Sequence, residues 1–178
     1  MKGVPMIVDI RNDNDLDMLI ESDEISRLCE LSLSVLGIAR DASVSVSFVD
    51  DDTMHELNYE WRGIDAPTDV LSFECDSVFD SVIPDDEPVE LGDIVLAPLV
   101  IAGQAAVYSN APDDEMRLML VHGMMHLLGF DHVDEAGALE IEAHELDVLK
   151  RAAALRGADP ASVVIGPTTR HDPERGQL

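Results

Sequence analysis

Two periodicities of hydrophobic residues run along the chain and predict strands and helices in a mixed order. Residues 43–49, with the sequence SVSVSFV, alternate between polar and apolar side chains, as a strand with one buried face does. Three further short segments predict strands of their own: residues 6–11, 69–73 and 91–98. Residues 74–90 are acidic and contain two prolines, which predicts an exposed loop between the last two strands.

Apolar residues at helical spacing predict five helices. The first covers residues 22–38 and is expected to end at Gly37, because glycine readily adopts the left-handed conformation found at helix ends. In the second, at residues 50–61, Thr53 and Glu56 have the spacing of a capping box. The third helix is expected to start at Pro98, and the fourth to run from about Pro112 to Leu128. The fifth is expected to cover residues 134–155.

This order of elements, β-α-β-α-β-β-α-α-α, predicts an α+β (α/β-like) fold with a single mixed β-sheet of about four strands covered by helices. We expect residues 1–156 to form one domain, since the chain of 178 residues has the length of a single domain. Residues 157–178 lack periodicity, and we expect them to be a disordered or loosely docked tail.

The segment HGMMHLLGFDH, residues 122–132, carries three of the six histidines of the chain. It belongs to a helix whose circumference is apolar almost throughout, which predicts a helix inside the protein. His122 and His126 are one turn apart on one face, and each unsatisfied buried polar group costs about 1–3 kcal/mol. If Gly129 ends the helix in the left-handed conformation, His132 can approach the other two imidazoles.

Three imidazoles that leave a fourth position open are typical of a catalytic zinc site. The sequence therefore predicts one Zn²⁺ per chain, bound by His122, His126 and His132, on a buried helix and its terminal turn. The alternative is three independently satisfied histidines, which this combination of spacing and glycine disfavours. The remaining histidines are predicted to be solvated residues: His55, His144 and His171. For His144 a place near the site is the alternative.

The frame HxxxHxxGxxH also occurs in metzincin peptidases, but Gly123 stands where zinc peptidases of the HExxH type carry their glutamate base. The metal site is therefore expected to perform a different reaction. Asp131 fits two roles equally well, an acceptor for a ligand imidazole or a turn former. Thr68 and Asp69 are expected to fix the loop and the start of the third strand, while Ser72 and Asp93 are candidates for the wall of a cleft.

The charge of the chain argues against a typical nucleic-acid binder. Thirty-seven acidic and 11 basic residues give a net charge of −26, without the basic footprint of such proteins. Solubility and adaptation to a salty cell interior both explain this composition. No apolar run is long enough to cross a membrane and the N-terminus lacks the apolar core of a signal peptide, so we expect a cytoplasmic protein with no membrane partner.

Three segments together resemble a known family. HGMMHLLGFDH, NYEWRGIDAPTDVLSFE (58–74) and LGDIVLAP (91–98) are similar, in this order, to the signatures of the YbeY endoribonucleases, bacterial rRNA maturation factors. The resemblance implies a hydrolase that cuts single-stranded RNA with a metal ion. It also implies maturation of the 3′ end of 16S rRNA and late quality control of the 70S ribosome.

The partners implied are the 16S rRNA precursor and the ribosome or its small subunit with associated proteins, and not DNA. The matching segment also indicates Arg62 as the catalytic cation that stabilises charge on phosphorus, with His122, His126 and His132 as the metal site. Two alternatives stay open: a metal-dependent hydrolase of another class, such as a peptidase, and a non-enzymatic ribosome-assembly factor with a structural metal.

Overall fold

The computed structural model describes residues 6–80, 83–84 and 87–166. The predicted order of strands and helices is confirmed, and so is the α+β fold. The elements are β1 (Met6–Arg11), α1 (Ser22–Val35), β2 (Ala42–Phe48), α2 (Asp51–Arg62), β3 (Val70–Glu74), β4 (Val89–Leu96), α3 (Pro98–Tyr108), α4 (Pro112–Leu127) and α5 (Glu135–Leu155), followed by a 3₁₀ turn at Pro160–Ser162.

The four strands form one mixed sheet in the order β1-β2-β4-β3. β1 pairs with β2 and β2 with β4 in parallel, whereas β3 pairs with β4 in the antiparallel direction. β3 is therefore an edge strand. The register places Ile94 opposite Ser72 on β3 and opposite Val46 on β2. The centre of β4 therefore lies between the edge strand β3 and the inner strand β2.

α4 is the centre of the hydrophobic core. Every residue from Glu115 to Met125 is buried, as the sequence predicts for a helix that is apolar almost all round. α1 and α5 pack against α4, and α4 packs in turn on β3 and β4. The opposite face of the sheet carries a smaller cluster, in which Met54 of α2 meets Leu71 and Val95.

One arginine connects the start of α4 to its neighbours. The side chain of Arg117 pairs with Glu24 of α1 at 2.7 Å and with Asp113 and Asp114 at 2.8 Å each. Arg156, which follows α5, donates to the same Glu24 at 2.7 Å. These contacts fix the buried helix relative to α1 and α5, and so fix the position of the side chains that it carries.

Two local predictions were wrong. The N-cap of α2 is Asp50 and not Thr53, because the Asp50 side chain accepts the backbone N–H of Thr53 at 2.9 Å. β4 begins at Val89 rather than at residue 91, because pairing with β2 continues to Ala42 and buries Val89 completely.

Both cysteines, Cys29 and Cys75, are free thiols. The remaining local predictions concern the tail and the membrane. Beyond the 3₁₀ turn, Val163 and Ile165 pack against the core, and residues 167–178 of the predicted tail lie outside the described residues. Within the described residues, every helix is too short or too polar to cross a membrane.

Gly92 gives a test of the sheet geometry, because its φ of 128° is one that side chains rarely adopt. A Cβ at this position would overlap the carbonyl oxygen of Phe73 on the edge strand. We expect Gly92→Ala to lower the free energy of unfolding by at least about 1–3 kcal/mol, measured by denaturant titration. Gly103→Ala is the matched control: a Cβ there meets nothing within 4 Å, and alanine should stabilise α3 slightly. Equal effects of the two substitutions would contradict the strand geometry.

Candidate metal centre

The structure brings His122, His126 and His132 together at the end of α4. The Nε2 atoms of His122 and His126 are 3.1 Å apart, and one ligand nitrogen from each of the three rings lies within 4.8 Å of the others. His122 is buried, whereas the other two are partly exposed. The cluster therefore has one side in the core and one side open to solvent.

A helix-ending turn delivers the third histidine. Gly129 has a φ of 87°, in the left-handed region, as the sequence predicts. Its N–H donates to the carbonyl of His126 at 2.9 Å, and the N–H of Phe130 donates to the carbonyl of Met125 at 3.0 Å. These two bonds form a Schellman motif, which turns the chain back so that His132 reaches the first two imidazoles.

A buried glutamate from α5 holds the first histidine. Nδ1 of His122 lies 2.7 Å from Oε1 of Glu145, whose residue is 1% exposed. When Nδ1 donates to this carboxylate, the lone pair of Nε2 is directed away from it, toward the other two rings. Burial raises the pKa of Glu145, and the nearby Glu142 contributes to the rise.

Glu145 is the site residue that sequence reasoning missed. The signal was present, because Glu145 lies on the buried face of α5 in helical register with apolar residues on both sides: Ala138, Ile141, Val148, Leu149 and Ala152. A single carboxylate on an apolar face requires a partner. The partner could not be identified from the sequence, since it lies on another helix 23 residues earlier.

The protonation state of His126 and its spacing from His122 suit a metal site. Burial, together with the neighbouring His122 and His132, lowers the pKa of His126 to about 4, so this imidazole is neutral near pH 7 as a ligand must be. Tetrahedral zinc with nitrogens at about 2.0–2.1 Å requires them to lie roughly 3.3 Å apart. The 3.1 Å separation of His122 and His126 fits that requirement.

An open cleft of about 290 Å³ adjoins His126. It is lined by residues of β3, the end of α4 and the following turn: Ser72, Glu74, His126, Leu127, Gly129, Phe130 and Asp131. Ser72 is thus where we expected it, whereas Asp93 lies in a separate groove with Asp9 and Ser45. Oδ1 of Asp131 accepts the backbone N–H of His132 at 2.7 Å. Of the two roles predicted for Asp131, imidazole acceptor and turn former, this bond fits the turn former.

Thr68 and Asp69 fix the start of β3, as predicted. Oδ1 of Asp69 accepts the Val70 N–H at 2.8 Å and the Thr68 hydroxyl at 3.1 Å. Burial raises the pKa of the Asp69 carboxyl. The pair therefore anchors the strand that forms one wall of the cleft.

The other predicted residues lie outside the cluster. Arg62 is the last residue of α2 and is exposed. His55 pairs with Asp65 at 2.7 Å, and the half-buried His144 packs against Phe130 with ring centroids 4.8 Å apart. His171 is outside the described residues.

Most of the chain is similar to proteins of one known family. Residues 8–153 match the family model "Endoribonuclease YbeY". Similar proteins of that name come from Salinispora tropica (37% identity over 81% of this chain and 94% of the relative) and Roseiflexus castenholzii (34% over 89% and 96%). A third, from Symbiobacterium thermophilum, is 40% identical over 69% of this chain and 82% of its own.

The fold has a counterpart among solved structures. The solution structure of TM1509 from Thermotoga maritima covers 90% of this chain and 99% of its own, with a TM-score of 0.60 and 24% sequence identity. This structural likeness shows the fold alone. The family to which the chain belongs is shown by the match of residues 8–153 to the family model. The chain belongs to the Endoribonuclease YbeY family.

Proposed function

We propose that this protein is a metal-dependent endoribonuclease that cleaves single-stranded RNA in the maturation of rRNA. One observation carries the proposal: three imidazoles converge beside an open cleft in a chain of the YbeY family. The proposed metal is one Zn²⁺ per chain, held by His122, His126 and His132. A divalent ion there supplies Lewis-acid polarisation of a phosphoryl oxygen and activation of water, both of which suit phosphodiester cleavage.

The surroundings of Gly123 argue against peptide hydrolysis by the mechanism of the HExxH enzymes. A Cβ at this position would already lie 3.0 Å from Cγ2 of Ile94 on β4, inside the core. A larger side chain here would press against Ile94, which disfavours the glutamate base of those peptidases at this point of α4. The same close approach lets α4 pack directly on the strand that supports the cleft.

We propose Arg62 as the cation that stabilises charge developing on the phosphate. A guanidinium can donate to two phosphate oxygens at once. In the described part of the chain, the side chain of Arg62 has no ion pair or hydrogen bond, although the protein carries 37 acidic residues. The end of α2 is nevertheless fixed, because Nδ2 of the buried Asn58 donates to the carbonyl of Ala66 at 2.7 Å.

Comparison with the other arginines shows why Arg62 is available to a phosphate in a protein with a net charge of −26. Most arginines in the described ranges are already bonded to acidic side chains or to backbone carbonyls: Arg11, Arg40, Arg117, Arg151 and Arg156. Arg62 and Arg27 have no such partners among the described residues. Because salt screens charges beyond about 8 Å, a local cation can attract a phosphate despite distant acids.

The biological substrate that we propose is the 3′ end of the 16S rRNA precursor, in the cytoplasm. The family membership and the resemblance of the three sequence motifs support this assignment. Quality control of the 70S ribosome belongs to the same proposal. We further propose that the ribosome or its small subunit helps to position the RNA, since the acidic surface provides little long-range attraction for it.

Glu145 provides a test of the metal site that leaves all three ligands in place. Glu145→Gln removes the carboxylate that orients His122, and we expect zinc affinity to fall about 10- to 100-fold, measured by competition with a chromophoric chelator. Glu140→Gln, an exposed position on the same helix, is the control and should bind zinc as the wild type does. Unchanged affinity in Glu145→Gln would show that its contact with His122 is unrelated to metal binding.

The function itself is tested with matched single-stranded RNA, duplex RNA and casein, each with and without a chelator. We expect chelator-sensitive cleavage of the single strand alone, because a flexible strand can bend a phosphate into the cleft and a stiff duplex cannot. Arg62→Ala should bind zinc normally but lose about 100- to 1,000-fold in kcat. Arg27→Ala, an exposed arginine of α1, should retain full activity.

Three outcomes would contradict the proposal. Cleavage of casein with intact RNA would indicate a peptidase. Binding to small ribosomal subunits without turnover of any substrate would indicate an assembly factor with a structural metal. Full activity of Arg62→Ala would remove that residue from the mechanism and leave the metal centre as the sole source of charge stabilisation.

A further inference from the structure

We propose that Trp61 is a binding subsite for one unpaired nucleobase, which stacks on the indole while a neighbouring phosphate of the same strand occupies the cleft at His126. This inference rests on the proposed function and adds a residue that positions the RNA. Trp61 is the only tryptophan of the chain, and its side chain lies at the end of α2 beside Arg62.

The indole is both exposed and held in place. Trp61 is 64% exposed, although tryptophan is normally among the more buried residue types. Its ring contacts the half-buried Phe73 edge to face, with centroids 5.4 Å apart and an interplanar angle of 65°. An aromatic side chain that is supported on one side and open on the other can accept a base without ordering a flexible group.

Phe73 connects the indole to the cleft. On β3 it stands between Ser72 and Glu74, the two strand residues that line the cleft with His126. Side chains alternate between the faces of a strand, and successive Cα atoms are about 3.8 Å apart. Trp61 and the cleft therefore lie on opposite faces of one edge strand, at the same point along it.

A single strand of RNA can cross this edge. Among the described strands β3 pairs only with β4, so its outer edge has no neighbour in the sheet. A strand that passes over the edge from the cleft would bring a base to the indole and its backbone toward Arg62, the next residue after Trp61. A duplex cannot do this, because its bases are paired and stacked inside the helix.

Charge and ring type favour RNA over a polypeptide at this position. Arg62 adjoins the indole without an acidic partner in the described part of the chain, so the local cation suits a phosphate backbone. Stacking on an aromatic face is also tolerant of base identity, which fits an enzyme that reads single-strandedness. A basic peptide, attracted by the acidic surface as a whole, would be repelled at this point by Arg62.

The test uses the full-length protein and the fluorescence of its single tryptophan. A short oligoadenylate should quench the emission of Trp61 when chelator prevents cleavage, whereas an abasic ribose-phosphate oligomer of the same length and charge should not. In steady-state cleavage, Trp61→Ala should raise KM for the oligoadenylate about tenfold with little change in kcat. Trp61→Phe should restore most of the loss, because phenylalanine keeps an aromatic face.

Tyr59→Ala is the matched control. Tyr59 is 61% exposed on the same helix but two residues away, so it faces a different direction, and its removal should leave KM unchanged. An unaltered KM in Trp61→Ala, or equal quenching by the abasic oligomer, would overturn the stacking subsite while RNA cleavage itself remained intact. Quenching by a basic peptide but not by RNA would assign the surface to a protein partner. Absence of RNA cleavage in the wild type would contradict the proposed function instead.

Discussion

The contact between Glu145 and His122 is the constraint on which the site depends. A carboxylate and an imidazole are both placed inside an apolar core, where an unpaired charge or polar group is costly. At 2.7 Å each satisfies the other, and α5 is thereby fixed against α4 at the level of the histidines. The buried α4 and the inner face of α5 share this polar contact, and it determines which nitrogen of His122 is directed at the cluster.

Several other features follow from the burial of α4. Because the helix is enclosed from Glu115 to Met125, it reaches solvent only near its two ends, and the C-terminal end is the one that carries His126 and the Gly129 turn. Gly123 allows close packing on Ile94 and stands where zinc peptidases carry their glutamate. Gly123 thus affects both the packing of α4 on the sheet and the reactions that the histidine cluster can support. In the proposed mechanism the charge on phosphorus is stabilised by the metal and by Arg62.

The sequence predicted the parts of the molecule that depend on local spacing. The order of elements, the buried α4 and the left-handed Gly129 each follow from residues within a few positions of one another, and each is present in the structure. The cap of α2 was misplaced because aspartate and threonine both cap helices, and Asp50 precedes Thr53. Glu145 and the contact between Trp61 and Phe73 were not found, because they join residues of separate elements and only the folded chain brings them together.

X-ray absorption spectroscopy of the zinc-loaded protein tests the central claim most directly, since acidic surface groups could also retain a divalent ion. The account predicts a first shell of three imidazole nitrogens and one further light atom at about 2.0–2.1 Å. In His126→Ala the zinc content should fall and the signature of the imidazoles should weaken. A first shell made of carboxylate oxygens, or one that is unchanged in His126→Ala, would place the ion on the acidic surface and contradict the account.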